Sequence, residues 1–357
     1  MSEQVELGWS RPDSPRLRNP LPWRFAPPNA EIVVPVLHHV TIMGTWTMLV
    51  NNIHLLAIAH PILPIADWEL IALRGSWNCG GRFEWENHVL TAKVLRKDAD
   101  YLVAIKEGPS AASWNDRQAA ILTAVDELHE DQLVSEATKQ WLLRYLSPRQ
   151  YRELYSVGAM YEVLAMVNNF CPPGELFDFE PRASRRSPAR PRRPRRDRPL
   201  APRPAEITTA PPPSGPHIWV PHDQEIIAEF ALNHPWTAAI VRRIDRLAAR
   251  RMKLGPADRE LAIQRMLWRV GPIGEWSMRS AADPRTAAVV AAGPDGPDAT
   301  PAQRALMRAV DELDTEYFIS DGTWADLRHH FSVKQLLELV PLVGNYRVYA
   351  AIMNNRG

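Results

Sequence analysis

Cysteine is nearly absent: the 357 residues hold two, Cys79 and Cys171. That count excludes a disulfide-stapled fold and a cysteine-based zinc finger, and it fits a reducing cytoplasm. The first residues, Met1-Ser2-Glu3-Gln4, lack a basic stretch followed by an apolar one, so no secretory leader is expected. Gly-x-Gly-x-x-Gly, a Walker loop, Gly-x-Ser-x-Gly and His-Glu-x-x-His are all missing, which removes the common signatures for nucleotides, serine hydrolysis and zinc peptidases. Charge is missing over one especially long stretch. Ile32 to Ala66 has no Asp, Glu, Lys or Arg, yet it carries Pro35, His38, His39, Asn51, Asn52, His54, His60, Pro61 and Pro64. Such a stretch reads as a helix buried all round, not as a membrane span. Its histidines show no ligand spacing, so no metal is expected there, although His54 or His60 can line a pocket.

What is present in excess is also localised. The net charge of +1 conceals ten arginines and one acid, Asp197, between residues 182 and 203. The remainder of the chain is therefore mildly acidic. Residues 172–216 hold 13 of the 33 prolines. Proline removes backbone donors and like charges repel, so this stretch reads as a disordered, extended linker. Contact with a nucleic acid or an anionic surface is the alternative role for its arginines. Residues 1–28 read as a loose tail. The whole chain, at 45% hydrophobic and 23% charged residues, has an ordinary globular composition and length enough for two domains.

The two flanking segments, 29–171 and 217–357, repeat each other. Asp67-Trp68-Glu69-Leu70 through Arg74 matches Asp258-Arg259-Glu260-Leu261 through Arg265. Trp77 matches Trp268, and Glu84-Trp85 matches Glu275-Trp276, at the same shift. Ala124 to Leu128 recurs as Ala309 to Leu313, Val157-Gly158 as Val343-Gly344, and Asn168-Asn169 as Asn354-Asn355. The shift shrinks on the way, so the first copy has the longer middle. Leu70, Leu73, Ser76 and Trp77 share one helical face, with Asp67 set to cap its start; Ala119, Leu122, Val125 and Leu128 recur at helical steps; Ser135 opens another helix. Strand-like alternation is scarce. The expectation is an all-α fold of about six helices per copy, with the copies packed as a pseudo-dimer.

The run Glu69-x14-Glu84-Trp85-x-x-His88, followed by Ala124-Val125-Asp126-Glu127-Leu128, Val157-Gly158 and Asn168-Asn169, resembles the carboxymuconolactone decarboxylase-like family, which includes the alkylhydroperoxidase D-like proteins. The resemblance implies tandem all-α domains, homo-oligomers and a small-molecule substrate. The peroxidase branch uses a Cys-x-x-Cys pair with an upstream Glu and a His four residues after the second Cys. Here Glu69 and His88 hold the outer positions, but Gly81 and Glu84 stand where the cysteines belong. Dithiol chemistry needs an attacking and a resolving thiol, so a peroxidase is the least favoured role.

The Glu-Trp-x-x-His form lies closer to the decarboxylase branch. Glu84 and His88 are four residues apart, on one helical face, and Glu69 can reach the same pocket. An imidazole held by a carboxylate moves protons near neutral pH without a cofactor. His88 is then the expected acid/base, with Glu69 and Glu84 orienting it and Trp77, Trp85, Phe83, His54 and Arg279 as pocket residues. An apolar or aromatic acid or lactone is the expected substrate. Without chemistry, His88 would simply pair with Glu84, Glu69 would cap a helix or pair with Arg74, and the chain would be a helical scaffold or binding protein. The second copy replaces His88 by Arg279, which cannot act as a base, and so is expected to be degenerate.

Overall fold

The computed structural model describes residues 62–170, 252–271 and 279–355. The tail, the Arg/Pro stretch, most of the uncharged segment with His54, and Cys171, Glu275 and Trp276 lie outside them, as does the side chain of Phe83. The described residues form helices and no strand, so the fold is all-α. In the first half these are α1 (Ile65–Asn78), α2 (Arg82–Val94), α3 (Ala99–Glu107), α4 (Asp116–Asp131), α5 (Glu136–Leu142) and α6 (Pro148–Phe170). The second half has α7 (Pro256–Val270), a helical turn at 279–282, α8 (Pro284–Ala292), α9 (Pro301–Glu316), α10 (Asp321–His330) and α11 (Val333–Asn355). Among the described residues no helix is long and apolar enough to cross a membrane.

Local chemistry sets the helix ends, and it does so twice. Asn115 and Gln118 form a capping box at α4; Thr300 and Gln303 form the same box at α9. Glu127 accepts from the Ser135 backbone N–H and hydroxyl and from Thr138, fixing α5; Glu312 does the same for Ser320 and Thr323 at α10. Glu153 in α6 accepts from the backbone N–H groups of Ile62 and Leu63, and Glu338 in α11 from those of Lys253 and Leu254. Asp67 departs from expectation. Pro64 precedes α1 without a side-chain cap, and Asp67 lies inside the first turn, paired with Arg117.

Each half is pinned by a buried arginine. Arg74 binds Asp126 through Nε (2.8 Å) and Nη2 (3.0 Å), and its Nη1 donates to the Ile105 carbonyl at the end of α3. Arg265 repeats this with Asp311 (2.7 Å twice) and the Val290 carbonyl. Fork geometry satisfies two oxygens at once, so the charge is tolerated inside. Arg74 is thereby taken up by Asp126 and does not pair with Glu69. Gly108, at φ 94°, gives the guanidinium room: a Cβ there would stand 2.5 Å from Arg74 Nη2.

These bonds fix the register of the repeat. Early positions correspond at a shift of 191 (Arg74 to Arg265) and later ones at 185 (Asp126 to Asp311, Glu153 to Glu338). The first copy spends its extra residues on the last turn of α2 and the loop to α3. The final helices therefore align one residue differently from the Val-Gly and Asn-Asn matches in the sequence. Val343-Gly344 lies opposite Gly158-Ala159, and Asn354 opposite Asn169. The halves meet mainly where α6 packs on α11.

Candidate functional site

The wall of the site is built by three helices of the first half. Glu69 points from α1, Glu84 and His88 from α2, and Tyr161 from α6. Gly75 allows α6 to approach: a Cβ on it would lie 3.2 Å from the Tyr161 Cβ. Gly81 does the same at the start of α2, where a Cβ would lie 3.2 Å from that of Ala165. A cysteine at this position, as in the thiol pattern, would press on α6.

His88 sits in the middle of a hydrogen-bonded chain. Its Nδ1 is 2.9 Å from Glu69 Oε2, and its Nε2 is 2.8 Å from the Tyr161 hydroxyl. The Glu69 side chain is 6% exposed and that of His88 16%, so His88 is the member that a ligand can reach. Tyr161 is buried, and its phenol is pushed well above the ordinary value, first by desolvation and then by the charges of Glu84 and Glu69. A carboxylate only accepts, so Nδ1–H points at Glu69; in the neutral imidazole Nε2 is then the acceptor and the Tyr161 O–H donates to it. This assigns the neutral tautomer with its basic nitrogen on Nε2.

The expected pairing of His88 with Glu84 does not occur. Glu69 takes that role, although it is 19 residues away in sequence, because α1 and α2 pack side by side. Glu84 is buried and close enough for its charge to act on Tyr161. Trp77 and Trp85 are buried core residues, their rings 5.2 Å apart, with the Lys106 ammonium 5.0 Å from the Trp77 ring and 5.6 Å from the Trp85 ring. They back α2 from the core side. Phe83 and His54 fall outside what the structure describes. The second half keeps the same arrangement with a different centre. Arg279 Nη1 donates to Glu260 (2.7 Å), Nη2 to the Tyr346 hydroxyl (3.0 Å), and the guanidinium lies 5.2 Å over the Tyr346 ring. Arg279 is thus held by partners of its own half.

Tyr161 is the residue that sequence reasoning missed. The signal was there: at the structural shift of 185, Tyr161 repeats as Tyr346. The Val-Gly match moved the register by one and hid it, setting Tyr161 against Arg347 instead. Searches against family models, curated proteins and solved structures find no match for this chain.

Proposed function

We propose that the first half is a cofactor-independent proton-transfer enzyme acting on a small organic acid or lactone, in the manner of the decarboxylase-like family that its motifs resemble. The observation that carries this is the Glu69–His88–Tyr161 chain, with the imidazole centred between a carboxylate and a neutral phenol. A substrate that displaces the Tyr161 hydroxyl meets the lone pair of Nε2. His88 takes a proton there, and the Glu69 carboxylate holds the imidazolium that forms. In a decarboxylation, loss of CO2 leaves a carbanionic centre, and the imidazolium returns the proton to that carbon. Until that proton arrives, Tyr161 steadies the enolate oxygen by donating its O–H. Trp77 and Trp85 make the α2 support stiff and apolar. Homo-oligomers and a small-molecule substrate belong to the same proposal.

A second reading rests on the second half. There an arginine makes the same two bonds, so a residue bridging Glu and Tyr can serve packing alone. One experiment separates the two. β-Keto acids and unsaturated lactones are screened for CO2 release or ring opening with wild-type protein, His88→Ala, Glu69→Gln and Tyr161→Phe. The enzyme reading expects turnover that falls roughly 100-fold in His88→Ala and at least about 10-fold in Tyr161→Phe, with helicity retained. Turnover that survives in His88→Ala removes the base. No turnover on any probe, together with a loss of melting temperature in His88→Ala, favours the packing role.

A further inference from the structure

A second polar cluster lies where the halves meet, away from the His88 chain. Cys79 follows α1, His129 is in the last turn of α4, Glu162 is in α6, and Tyr317 follows α9 of the other half. His129 Nδ1 is 3.8 Å from Cys79 Sγ, 3.8 Å from Glu162 Oε1 and 3.1 Å from the Tyr317 hydroxyl. The Tyr317 hydroxyl is 3.1 Å from Glu162 Oε1. The Cys, His and Glu ligand atoms all lie within 4.8 Å of one another. Ligand atoms around a tetrahedral zinc stand about 3.3–3.6 Å apart, given bonds of about 2.0–2.3 Å. We propose that Cys79, His129, Glu162 and Tyr317 form a closed, structural site for a zinc-like divalent cation that ties the two halves together.

The surroundings are built as a metal's outer shell is built. Glu162 Oε2 is held by Arg347 Nε at 2.6 Å and Gln132 Nε2 at 2.8 Å, and Oε1, which also accepts from Arg347 Nη2 at 3.2 Å, faces His129 and Tyr317. Arg347 Nη2 donates to the Tyr317 oxygen at 2.9 Å and fixes the phenol in place. Charge closes as well. Arg347, Arg269 and Arg265 are matched by Glu162, Asp314 and Asp311. A dication entering this neutral network would leave two charges unbalanced. If Cys79 S–H and Tyr317 O–H each release a proton to solvent, thiolate and phenolate cancel them. A set of cysteine, imidazole and oxygen ligands selects zinc over magnesium or calcium. The pseudo-symmetry allows the site once per chain. At the corresponding positions the second half has Val270, Asp314 and Arg347, which supply a counter-charge network and not a second ligand set.

The test uses the full-length chain. Protein is incubated with zinc at neutral pH, dialysed, and its metal content measured. A parallel sample takes cobalt(II), whose thiolate charge-transfer band reports Cys79. The site predicts one retained metal per chain, a melting temperature about 5–10 °C higher with zinc than with chelator, and a cobalt–thiolate band lost in Cys79→Ser and His129→Gln. Zinc lost on dialysis, or a cobalt band unchanged in Cys79→Ser, would overturn the proposal and leave a hydrogen-bonded polar core. The wild-type metal content decides even if a variant does not fold. None of these measurements depends on activity at His88.

Discussion

Replacing Arg347 by methionine removes a cation that faces both Glu162 and Asp314. All three side chains are essentially sealed from water, at 0% exposure for Arg347 and Asp314 and 3% for Glu162. Methionine fills much of the space but leaves Glu162 without its 2.6 Å donor, and takes one guanidinium from Asp314 while Arg269 stays bound at 2.7 Å. Breaking a buried pair from one side costs about 3–5 kcal/mol, because a carboxylate remains desolvated and uncompensated. At about 2.1 cal/mol/K of unfolding entropy per residue, that is a drop in melting temperature of about 4–7 °C for a chain of 357 residues. Thermal and urea unfolding of wild type and Arg347→Met, in chelator so that no cation contributes, measure it. Adding Glu162→Gln to Arg347→Met should recover part of the loss, since the neutral amide no longer needs the guanidinium. A cost below about 1 kcal/mol, the worth of an exposed pair, would refute the reasoning, as would a double variant worse than the single one by the full cost of Glu162→Gln alone.

Two further outcomes follow from the local geometry. Gly108→Ala should destabilise by at least about 2 kcal/mol in urea unfolding, since its φ of 94° disfavours a side chain and the new Cβ meets Arg74; Gly322→Ala, with nothing within 4 Å of its Cβ, should be near neutral. Asp283 caps α8, and hydrogen bonds from Thr286 hold its carboxyl below the ordinary value. A depressed carboxyl contributes stability above its unfolded value and loses it as pH falls through the folded one. Asp283→Ala should therefore cost about 1 kcal/mol at neutral pH, with the gap to wild type closing under acid conditions.

Much of the fold could be read from residue order. Helical spacing in α1 and α4, Ser135 at the start of α5, and the repeat itself all reappear in the structure, because capping and apolar periodicity are local properties. The candidate site was legible in part. Glu69 and His88 do meet, but Glu84 does not hold the imidazole, and the slipped register of the repeat hid Tyr161. A partner contributed by a distant helix leaves no spacing signature. An alignment that slips by one residue turns a helix by about 100°, which sends the matched side chains to different faces.

The sequence by itself determined that the chain is helical, that it repeats, and that only the first copy has a histidine at the centre of its Glu-x-x-x-His run. Those facts depend on residue type and near neighbours. Tertiary structure alone decided which acid holds that histidine, that a buried phenol sits on its other nitrogen, and that Cys79, His129, Glu162 and Tyr317 converge. The packing of α6 on α11 brings Glu162 within 2.6 Å of Arg347, 185 residues away. No short-range pattern encodes that distance; it exists only once both apolar faces have found each other and the charges between them have no water left to prefer.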